Sequence, residues 1–249
     1  MLISILTLFP EMLAGPFDYS IVKRAREKGI VTINLINIRD FATDKYKSVD
    51  DHPYGGGPGM ILRVDVIDRA LESQKSPSER LRAGKAKSPK SKTILLDPRG
   101  TTYTQQKARE YATLDHIVLI CGHYEGVDER VKPLVDESVS IGEYVLTGGE
   151  IPTMVIVDSV VRLLPGVLKK PEATKQESFS SSSLITHHSS PLLEYPQYTR
   201  PEEYNGMHVP DVLLSGNHNA IAKWRNEQSK IKTVQRKKIH PSKLPHRSV

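Results

Sequence analysis

Strand-like apolar runs alternate with helix-length segments from residue 1 to about residue 165. This alternation predicts an α/β domain with a mainly parallel sheet, because a crossover helix must return the chain between two parallel strands. A chain of 249 residues is long enough for one large domain or two modest ones. The predicted strands are residues 2–9, 31–38, 93–97, 116–121 and 138–146, and the predicted helices are residues 11–28, 64–74, 104–113, 126–134 and 150–164.

Local signals mark several ends of these elements. Gly29 is expected to cap the helix at residues 11–28, and Pro152 falls in the first turn of the helix at residues 150–164. The opening run MLISILTLF has no basic residues before it and is far shorter than the roughly 20 residues that span a membrane. We therefore expect a buried first strand there and no membrane contact.

Two segments interrupt the alternation. Residues 74–92 are basic and rich in Ser and Pro, so a flexible surface loop is expected there. Residues 169–191 run into SFSSSSLITHHSSP, whose composition cannot bury enough apolar area to become ordered, and they are interpreted as a linker. Beyond it, Pro201 is expected to start one helix, and Asn217 or Asn219 to cap a second that continues through Gln228. The predicted division is a domain at residues 1–168, a linker at 169–199 and a small helical domain at 200–249.

The positive charge of the chain is concentrated towards its C-terminal end. The whole chain has a formal net charge of +6, while residues 221–249 hold nine Lys and Arg residues against Glu227 alone. This imbalance indicates a polyanionic partner, with nucleic acid as the first candidate; the alternative is a solvated, disordered tail. Cys121 is the only cysteine, which excludes an intrachain disulfide and a Cys-rich zinc site and fits a reducing cytoplasm.

Three loops lie at the carboxyl ends of predicted strands: DPRG (97–100), CGHYEG (121–126) and EYVLTGGEIP (143–152). Ligands of open α/β sheets bind at that edge, although each loop alone could be an ordinary strand-to-helix turn. The chain contains neither a G-x-G-x-x-G nor a P-loop sequence. The three loops together therefore predict a pocket that holds its ligand through backbone amides and apolar packing, as an adenine ring can be held.

The stretch DDHPYGGGPGM (50–60) is the most glycine-dense in the chain. It is either a mobile loop without a ligand, or a loop whose backbone approaches a large partner closely or closes over a pocket. Asp50, Asp51 and His52 are too few donors to predict a metal site. Arg162 follows Asp158 by four residues, which alone suggests a pair on one helix face, and Glu177 in the linker alone suggests a solvated acid.

Six stretches of the chain together resemble the bacterial TrmD-type tRNA (guanine-N1)-methyltransferases of the SPOUT class. They are YGGGPGM (54–60), CGHYEGVDERV (121–131), SIGEYVLTGGE (140–150), RLLPGVL (162–168), YPQYTRP (195–201) and VLLSGNH (212–218). The resemblance implies a mainly parallel α/β sheet with a deep trefoil knot that binds S-adenosylmethionine, and a C-terminal helical domain that binds the anticodon arm. It also implies methylation of tRNA guanosine 37 at N1 by a homodimer whose active site is shared between subunits.

The resemblance carries site residues over to this sequence. Arg162 would stabilise the negative charge on guanine O6, and Glu177 would take the N1 proton. Glu125 would contact the ribose hydroxyls of the cofactor, and Mg²⁺ is a further implied ion, with Glu177 as its first candidate ligand. The implied cofactor-binding residues are Leu95, Leu96, Pro98, Gly122, Tyr124, Glu125, Ile141, Gly142, Glu143, Tyr144, Val145, Leu146, Gly148, Gly149 and Pro152. The implied tRNA-binding residues are Gly56, Gly57, Gly59, Arg200, Ser215, Asn217 and His218.

The sequence departs from the family pattern at three places. Glu177 stands where the family usually has Asp, the segment 180–191 is longer than usual, and Gln197 stands where His is common. The first change puts the geometry and rate of catalysis in question. One alternative is therefore a tRNA-binding homologue that has lost catalysis; another is a SPOUT enzyme that acts on a ribose 2′-hydroxyl or on ribosomal RNA.

Overall fold

The structure is a computed structural model that describes residues 1–75, 90–170, 174, 177–180 and 193–239. The chain divides into two compact units, Met1–Lys169 and Lys170–Val249. The elements of the first unit are β1 (Leu2–Thr7), α1 (Pro10–Phe17), α2 (Ser20–Glu27), β2 (Thr32–Asn37), β3 (Asp50–Asp51), β4 (Ile61–Leu62), α3 (Val64–Gln74), β5 (Ser91–Thr102), α4 (Gln105–Tyr111), β6 (His116–Cys121), β7 (Glu137–Ser140) and α5 (Glu150–Val161). Short 3₁₀ segments lie at Ile38–Phe41 and Glu129–Leu134.

The central sheet of the first unit has the strand order β2-β1-β6-β5-β7. All four neighbouring pairs are parallel; Ile5 of β1, for example, pairs with Leu35 of β2 and Leu119 of β6. The predicted α/β fold with a mainly parallel sheet is confirmed. A separate antiparallel ribbon joins β3 to β4 on either side of the glycine-dense loop.

Helices cover both faces of this sheet, and alternate residues of each strand point to opposite faces. Ile5 of β1 and Leu119 of β6 belong to one apolar cluster, which is completed by α1, α2 and α5. Leu6 of β1 and Ile120 of β6 belong to the other, which is completed by α3. Burial on both faces explains why these strands read as continuous apolar runs in the sequence.

The prediction of a single helix at residues 11–28 is wrong, because the chain forms two helices there. Pro16 lies in the last turn of α1 and cannot donate a helical hydrogen bond, and α1 ends at Phe17. Ser20 then starts α2 with a φ of 54°, outside the right-handed helical region. The predicted cap at Gly29 is confirmed: its φ is 67° and its N–H donates to the Arg26 carbonyl.

The strand predicted at residues 138–146 ends at Ser140. The Ser140 hydroxyl donates to the Gly142 carbonyl and accepts from the Gly142 N–H, so these local bonds replace the next sheet bonds. The strand predicted at 93–97 is longer than expected, because β5 continues to Thr102 beyond a register shift opposite Val139. The helix predicted at 126–134 is the 3₁₀ segment Glu129–Leu134, which contains Pro133.

The elements of the second unit are β8 (Glu203–Tyr204), β9 (Met207–His208), α6 (Asp211–Leu214) and α7 (His218–Ile239). The helix predicted to start at Pro201 is wrong, because β8 and β9 form a hairpin through Asn205 and Gly206. Both turn residues have positive φ, as this tight hairpin turn requires. The cap predicted at Asn217 is confirmed: its side-chain oxygen accepts from the Ala220 N–H. The predicted loop at 74–92 and linker at 169–191 lie largely outside the described residues.

Candidate functional site

A cavity of about 210 Å³ lies at the carboxyl ends of β5, β6 and β7. Its walls come from the three loops that the sequence placed at this edge, which the structure brings together. This volume is many times the ~10–15 Å³ that is needed to hold one water molecule, so the cavity has room for a small-molecule ligand. The lining residues are Leu95, Leu96, Asp97, Pro98, Arg99, Gly122, His123, Tyr124, Glu125, Gly126, Val127, Val139, Ser140, Ile141, Gly142, Tyr144, Val145, Leu146, Thr147, Gly148, Gly149 and Pro152.

Every residue predicted to bind a cofactor lines this cavity except Glu143. Several lining residues were missed from the sequence, among them Asp97, Arg99, His123 and Thr147. All four stand inside the three predicted loops, so extending the prediction to every residue of DPRG, CGHYEG and EYVLTGGEIP would have found them. Binding by any of these residues remains a prediction, because lining a cavity shows position alone.

Backbone-to-backbone contact shapes one wall of the cavity. The Gly149 N–H donates to the Gly122 carbonyl at 2.8 Å, and His123 forms an antiparallel bridge with Gly148. A Cβ on Gly149 would lie 2.6 Å from the Cys121 Cα. Glycine is therefore required where the segment after β7 returns to the end of β6.

One lining residue of the cavity, Arg99, is a cation held in place by hydrogen bonds. The Arg99 guanidinium donates to both carboxylate oxygens of Asp97 at 3.1 and 3.0 Å, and the Arg99 N–H donates to the same group at 2.9 Å. Burial alone would raise the pKa of the Asp97 carboxyl, but these hydrogen bonds outweigh it and hold that pKa below its usual value. Asp97 is thus a charged anchor, and Arg99 reaches the solvent with 60% of its side chain exposed.

Polar groups are also buried behind the cavity wall. Glu150, the first residue of α5, is 1% exposed, and its Oε1 accepts from the Thr7 hydroxyl at 2.6 Å. The Cys121 sulfur lies 3.2 Å from the Thr153 hydroxyl, and burial raises the pKa of the Cys121 thiol. This cysteine is therefore a packing residue and not a nucleophile.

A second cavity, of about 690 Å³, adjoins the first and shares Arg99, Glu125 and Val127 with it. Three arginines line it, and each is paired with an aspartate two residues away: Arg63 with Asp65, Arg99 with Asp97, and Arg130 with Asp128. Two-pronged pairing fixes the direction of each guanidinium.

The glycine-dense loop runs between the two strands next to this second cavity. Gly56, Gly57 and Gly59 all have positive φ, and a Cβ on Gly59 would lie 2.4 Å from the Glu125 Cγ. The loop backbone thus packs directly on a residue of the first cavity. Groups of three or more His, Cys, Asp and Glu side chains able to hold a metal are absent from residues 1–75, 90–170 and 193–239.

The two residues predicted to be catalytic lie in different compact units. Arg162 ends α5 in the first unit, and Glu177 lies in the second, where its carbonyl accepts from the Ser180 N–H. Their predicted meeting in one active site stays a prediction.

Three of the four remaining predicted tRNA-binding residues lie in the second unit around the start of α7. Ser215 and Asn217 precede the helix, His218 is its first residue, and Arg200 precedes the hairpin. Arginines of α7 stack on aromatic rings of the preceding chain, Arg225 on Tyr195 at 4.8 Å and Arg236 on Phe179 at 4.7 Å. Among the residues that the structure describes, no helix is long and apolar enough to cross a membrane.

Comparison with known proteins identifies the family. The family model described as tRNA (Guanine-1)-methyltransferase TrmD matches residues 1–240. A tRNA (guanine-N(1)-)-methyltransferase of Geobacillus kaustophilus is 53% identical over 238 residues, which cover 95% of this chain and 90% of the relative. Proteins of the same description from Carboxydothermus hydrogenoformans and Dictyoglomus turgidum are 51% and 50% identical, covering 96% and 93% of this chain and 86% of each relative. The chain belongs to the tRNA (Guanine-1)-methyltransferase TrmD family.

Proposed function

We propose that the chain transfers a methyl group from S-adenosylmethionine to N1 of guanosine 37 in tRNA, next to the anticodon. Family membership and relatives at about half identity support this activity. The observation that carries the assignment to a site is the meeting of the three strand-end loops in one cavity.

The walls of the first cavity suit S-adenosylmethionine. Leu95, Leu96 and Ile141 offer apolar surface for an adenine ring, and backbone groups of residues 122–126 and 141–149 surround it. Glu125 at the rim provides acceptors for ribose hydroxyls. Among the described lining residues the one cation is Arg99, and it is already paired with Asp97, which fits a ligand without phosphate. When bound, S-adenosylmethionine supplies an electrophilic methyl group on a sulfonium.

A trefoil knot around this cavity is part of the proposal. The knot is supported by the path of the segment after β7, which returns to the end of β6. There Gly149 is hydrogen-bonded to Gly122, and Gly148 forms a bridge with His123. A close backbone crossing of this kind needs the two glycines. We extend the family's knotted cofactor site to residues 95–98, 122–126 and 141–149 on this basis.

In the proposed reaction, the side chains of this chain move one proton and balance one charge. Guanine N1 carries a proton and is a poor nucleophile until the proton leaves. The Glu177 carboxylate accepts that proton, and the Arg162 guanidinium stabilises the negative charge that develops on O6. Glu177 keeps the carboxylate that the role needs, on a side chain one methylene longer than the Asp usual in the family.

A homodimer with a shared active site is the proposed assembly. Ile151 and Val155 are four residues apart on α5, so they share a face of the helix, and both leave more than two fifths of their area exposed. Val145 in the cavity loop is 85% exposed. Apolar groups displayed beside a binding cavity support an interface there. Placement of Glu177 in a separate unit is compatible with a carboxylate that reaches the partner's cavity.

The tRNA is proposed to contact both units. Exposed cations along α7 would bind phosphates of the anticodon arm, with the aromatic stacking of Arg225 and Arg236 holding the helix to its own unit. In the first unit, the glycine-dense loop and the second cavity, with its fixed arginines, would face the loop nucleotides. A tRNA substrate and a single buried thiol support a cytoplasmic location.

The proposed mechanism assigns no role to Mg²⁺. The described residues hold no cluster of carboxylates and histidines that fits a dedicated ion, and Glu177 alone is one ligand.

Reverse transcription of the reacted tRNA tests the proposal, because N1-methylation blocks Watson–Crick pairing and stops the polymerase. We expect a stop one nucleotide 3′ of position 37, together with 1-methylguanosine in the nuclease digest. A methylated nucleoside of any other kind, or a stop elsewhere, would overturn the assignment, including an outcome in which the 2′-hydroxyl is the methylated atom.

A further inference from the structure

His123 has a ring nitrogen that the proposed mechanism does not use. Its Nδ1 is buried and has no hydrogen-bond partner, the one such side-chain nitrogen or oxygen in the described part of the chain. The ring lies between Phe9, at 4.8 Å, and Tyr124, at 4.7 Å. A buried polar group without a partner costs free energy, so this nitrogen calls for an explanation.

The buried carboxylate of Glu150 lies close to this nitrogen, behind the cavity wall. A Cβ built on Gly148 would lie 2.6 Å from the His123 Nδ1 and 2.4 Å from the Glu150 Oε2. Both atoms therefore face the same side of Gly148, separated by no more than the sum of these two distances. Gly148 and His123 also line the first cavity, so the two groups meet at its wall.

The Glu150 carboxylate is positioned to accept a further hydrogen bond. The Thr7 hydroxyl accepts from the Phe9 N–H at 2.9 Å and donates its O–H to the Glu150 Oε1 at 2.6 Å. Glu150 also stands in the first turn of α5, where the helix dipole favours a carboxylate. Its other oxygen, Oε2, is the one that faces Gly148 and His123.

We propose that His123 is a positioning residue for the methyl donor: with ligand in the cavity, its Nδ1–H donates to the Glu150 carboxylate and holds Gly148 and Gly149 against the ligand. The inference rests on the proposed function, since it takes S-adenosylmethionine as the occupant of the first cavity. A pair that forms only in the ligand-bound arrangement adds its free energy to ligand affinity. The hydrogen bond between His123 and Glu150 stabilises the complexes of reactant and transition state equally. It therefore lowers KM for the methyl donor and leaves kcat unchanged.

Two substitutions of His123 separate this role from simple ring packing. His123→Phe keeps the ring and its contacts with Phe9 and Tyr124 but has no nitrogen, whereas His123→Asn loses the ring and keeps an N–H donor close to the place of Nδ1. Titration calorimetry with S-adenosylmethionine, and steady-state kinetics with tRNA, would be run on the dimeric full chain.

We expect His123→Phe to weaken S-adenosylmethionine binding about tenfold to a hundredfold, the usual worth of a hydrogen bond to a charged group, with kcat unchanged. His123→Asn should retain affinity within about threefold of wild type, a difference of less than 1 kcal/mol. The opposite order, with Phe near wild type and Asn impaired, would show that the ring only packs and would overturn the proposal.

Glu150→Gln provides a second test that does not depend on the ring. Its effect on S-adenosylmethionine affinity should be much smaller in the His123→Phe background than in wild type, because the partner is already gone. Equal effects in both backgrounds contradict the inference. Failure of the wild-type chain to bind S-adenosylmethionine would instead overturn the proposed function itself.

Discussion

Alanine at position 149 would place a methyl group where the end of β6 already has backbone atoms. The added Cβ would lie 2.6 Å from the Cys121 Cα and 2.9 Å from the Gly122 nitrogen. Carbon atoms in contact normally keep about 3.5–4.0 Å between them, so the overlap is about 1 Å. Gly149 has φ −80° and ψ −4°, which alanine adopts freely, so the collision is the only new term.

The cost follows from what must move. β6 is hydrogen-bonded to β1 on one side and β5 on the other, so the segment at residues 148–149 has to shift. That shift breaks the bond from the Gly149 N–H to the Gly122 carbonyl. Overpacking of about 1–3 kcal/mol and one broken hydrogen bond of about 1 kcal/mol predict that Gly149→Ala lowers the free energy of unfolding by about 2–4 kcal/mol.

Urea unfolding followed by circular dichroism measures this change in the free energy of unfolding. Calorimetric titration measures the affinity for S-adenosylmethionine, which we expect to be at least tenfold weaker because the cavity wall has shifted. Gly15→Ala is the matched control, because Gly15 lies in α1 and its Cβ would meet nothing within 4 Å beyond its two chain neighbours. That variant should change the free energy of unfolding by no more than about 1 kcal/mol, because the gain of Ala over Gly within a helix is opposed by the crowding of its Cβ against Pro16, the next residue. A Gly149→Ala protein with wild-type stability and affinity would refute the close backbone crossing.

Three further predictions address catalysis, pH and RNA binding. Glu177→Gln should lower kcat by about 10²–10⁴ in single-turnover assays while filter binding shows unchanged tRNA affinity; a rate within twofold of wild type would remove Glu177 as the base. Burial would raise the pKa of Glu137, but hydrogen bonds from Lys107, Lys92 and Tyr111 outweigh it and lower that pKa. The stability that the ionised Glu137 side chain contributes to the fold is therefore full at neutral pH and is lost on acidification. The excess free energy of unfolding of wild type over Glu137→Gln should shrink as pH falls below about 4. A pH-independent difference would contradict this. Replacing three exposed lysines of α7 by alanine should weaken tRNA binding; the three are Lys223, Lys230 and Lys232. The slope of the logarithm of the binding constant against the logarithm of the salt concentration should become shallower by about 0.7–0.9 for each phosphate that is no longer neutralised. An unchanged slope would place the tRNA elsewhere.

The parallel sheet could be predicted because burial on both faces leaves a continuous apolar run at each central strand. β6, for instance, reads HIVLIC, and five of its six residues are buried. The position of the cavity followed from the same pattern, since the carboxyl ends of parallel strands share one edge.

The ends of elements were less predictable because local hydrogen bonds decide them. The strand at 138–146 looks continuous in hydrophobicity, yet the Ser140 hydroxyl ends it by bonding the Gly142 backbone. Likewise, the hairpin at Asn205 and Gly206 replaced an expected helix because two adjacent residues adopt positive φ.

The group behind the cavity wall could not be predicted from the sequence at all. Thr7 and Glu150 are 143 residues apart, and the pairing of β1 with β6 together with the bond from Gly149 to Gly122 brings them near each other. His123 was inside a recognised stretch, but nothing in CGHYEG indicates that one of its nitrogens lacks a partner.

Methyl transfer from labelled S-adenosylmethionine to two tRNA transcripts, one with guanosine and one with adenosine at position 37, tests the central claim most directly. We expect label in the guanosine transcript alone. Equal labelling of both transcripts, or none in either while both still bind, would contradict it.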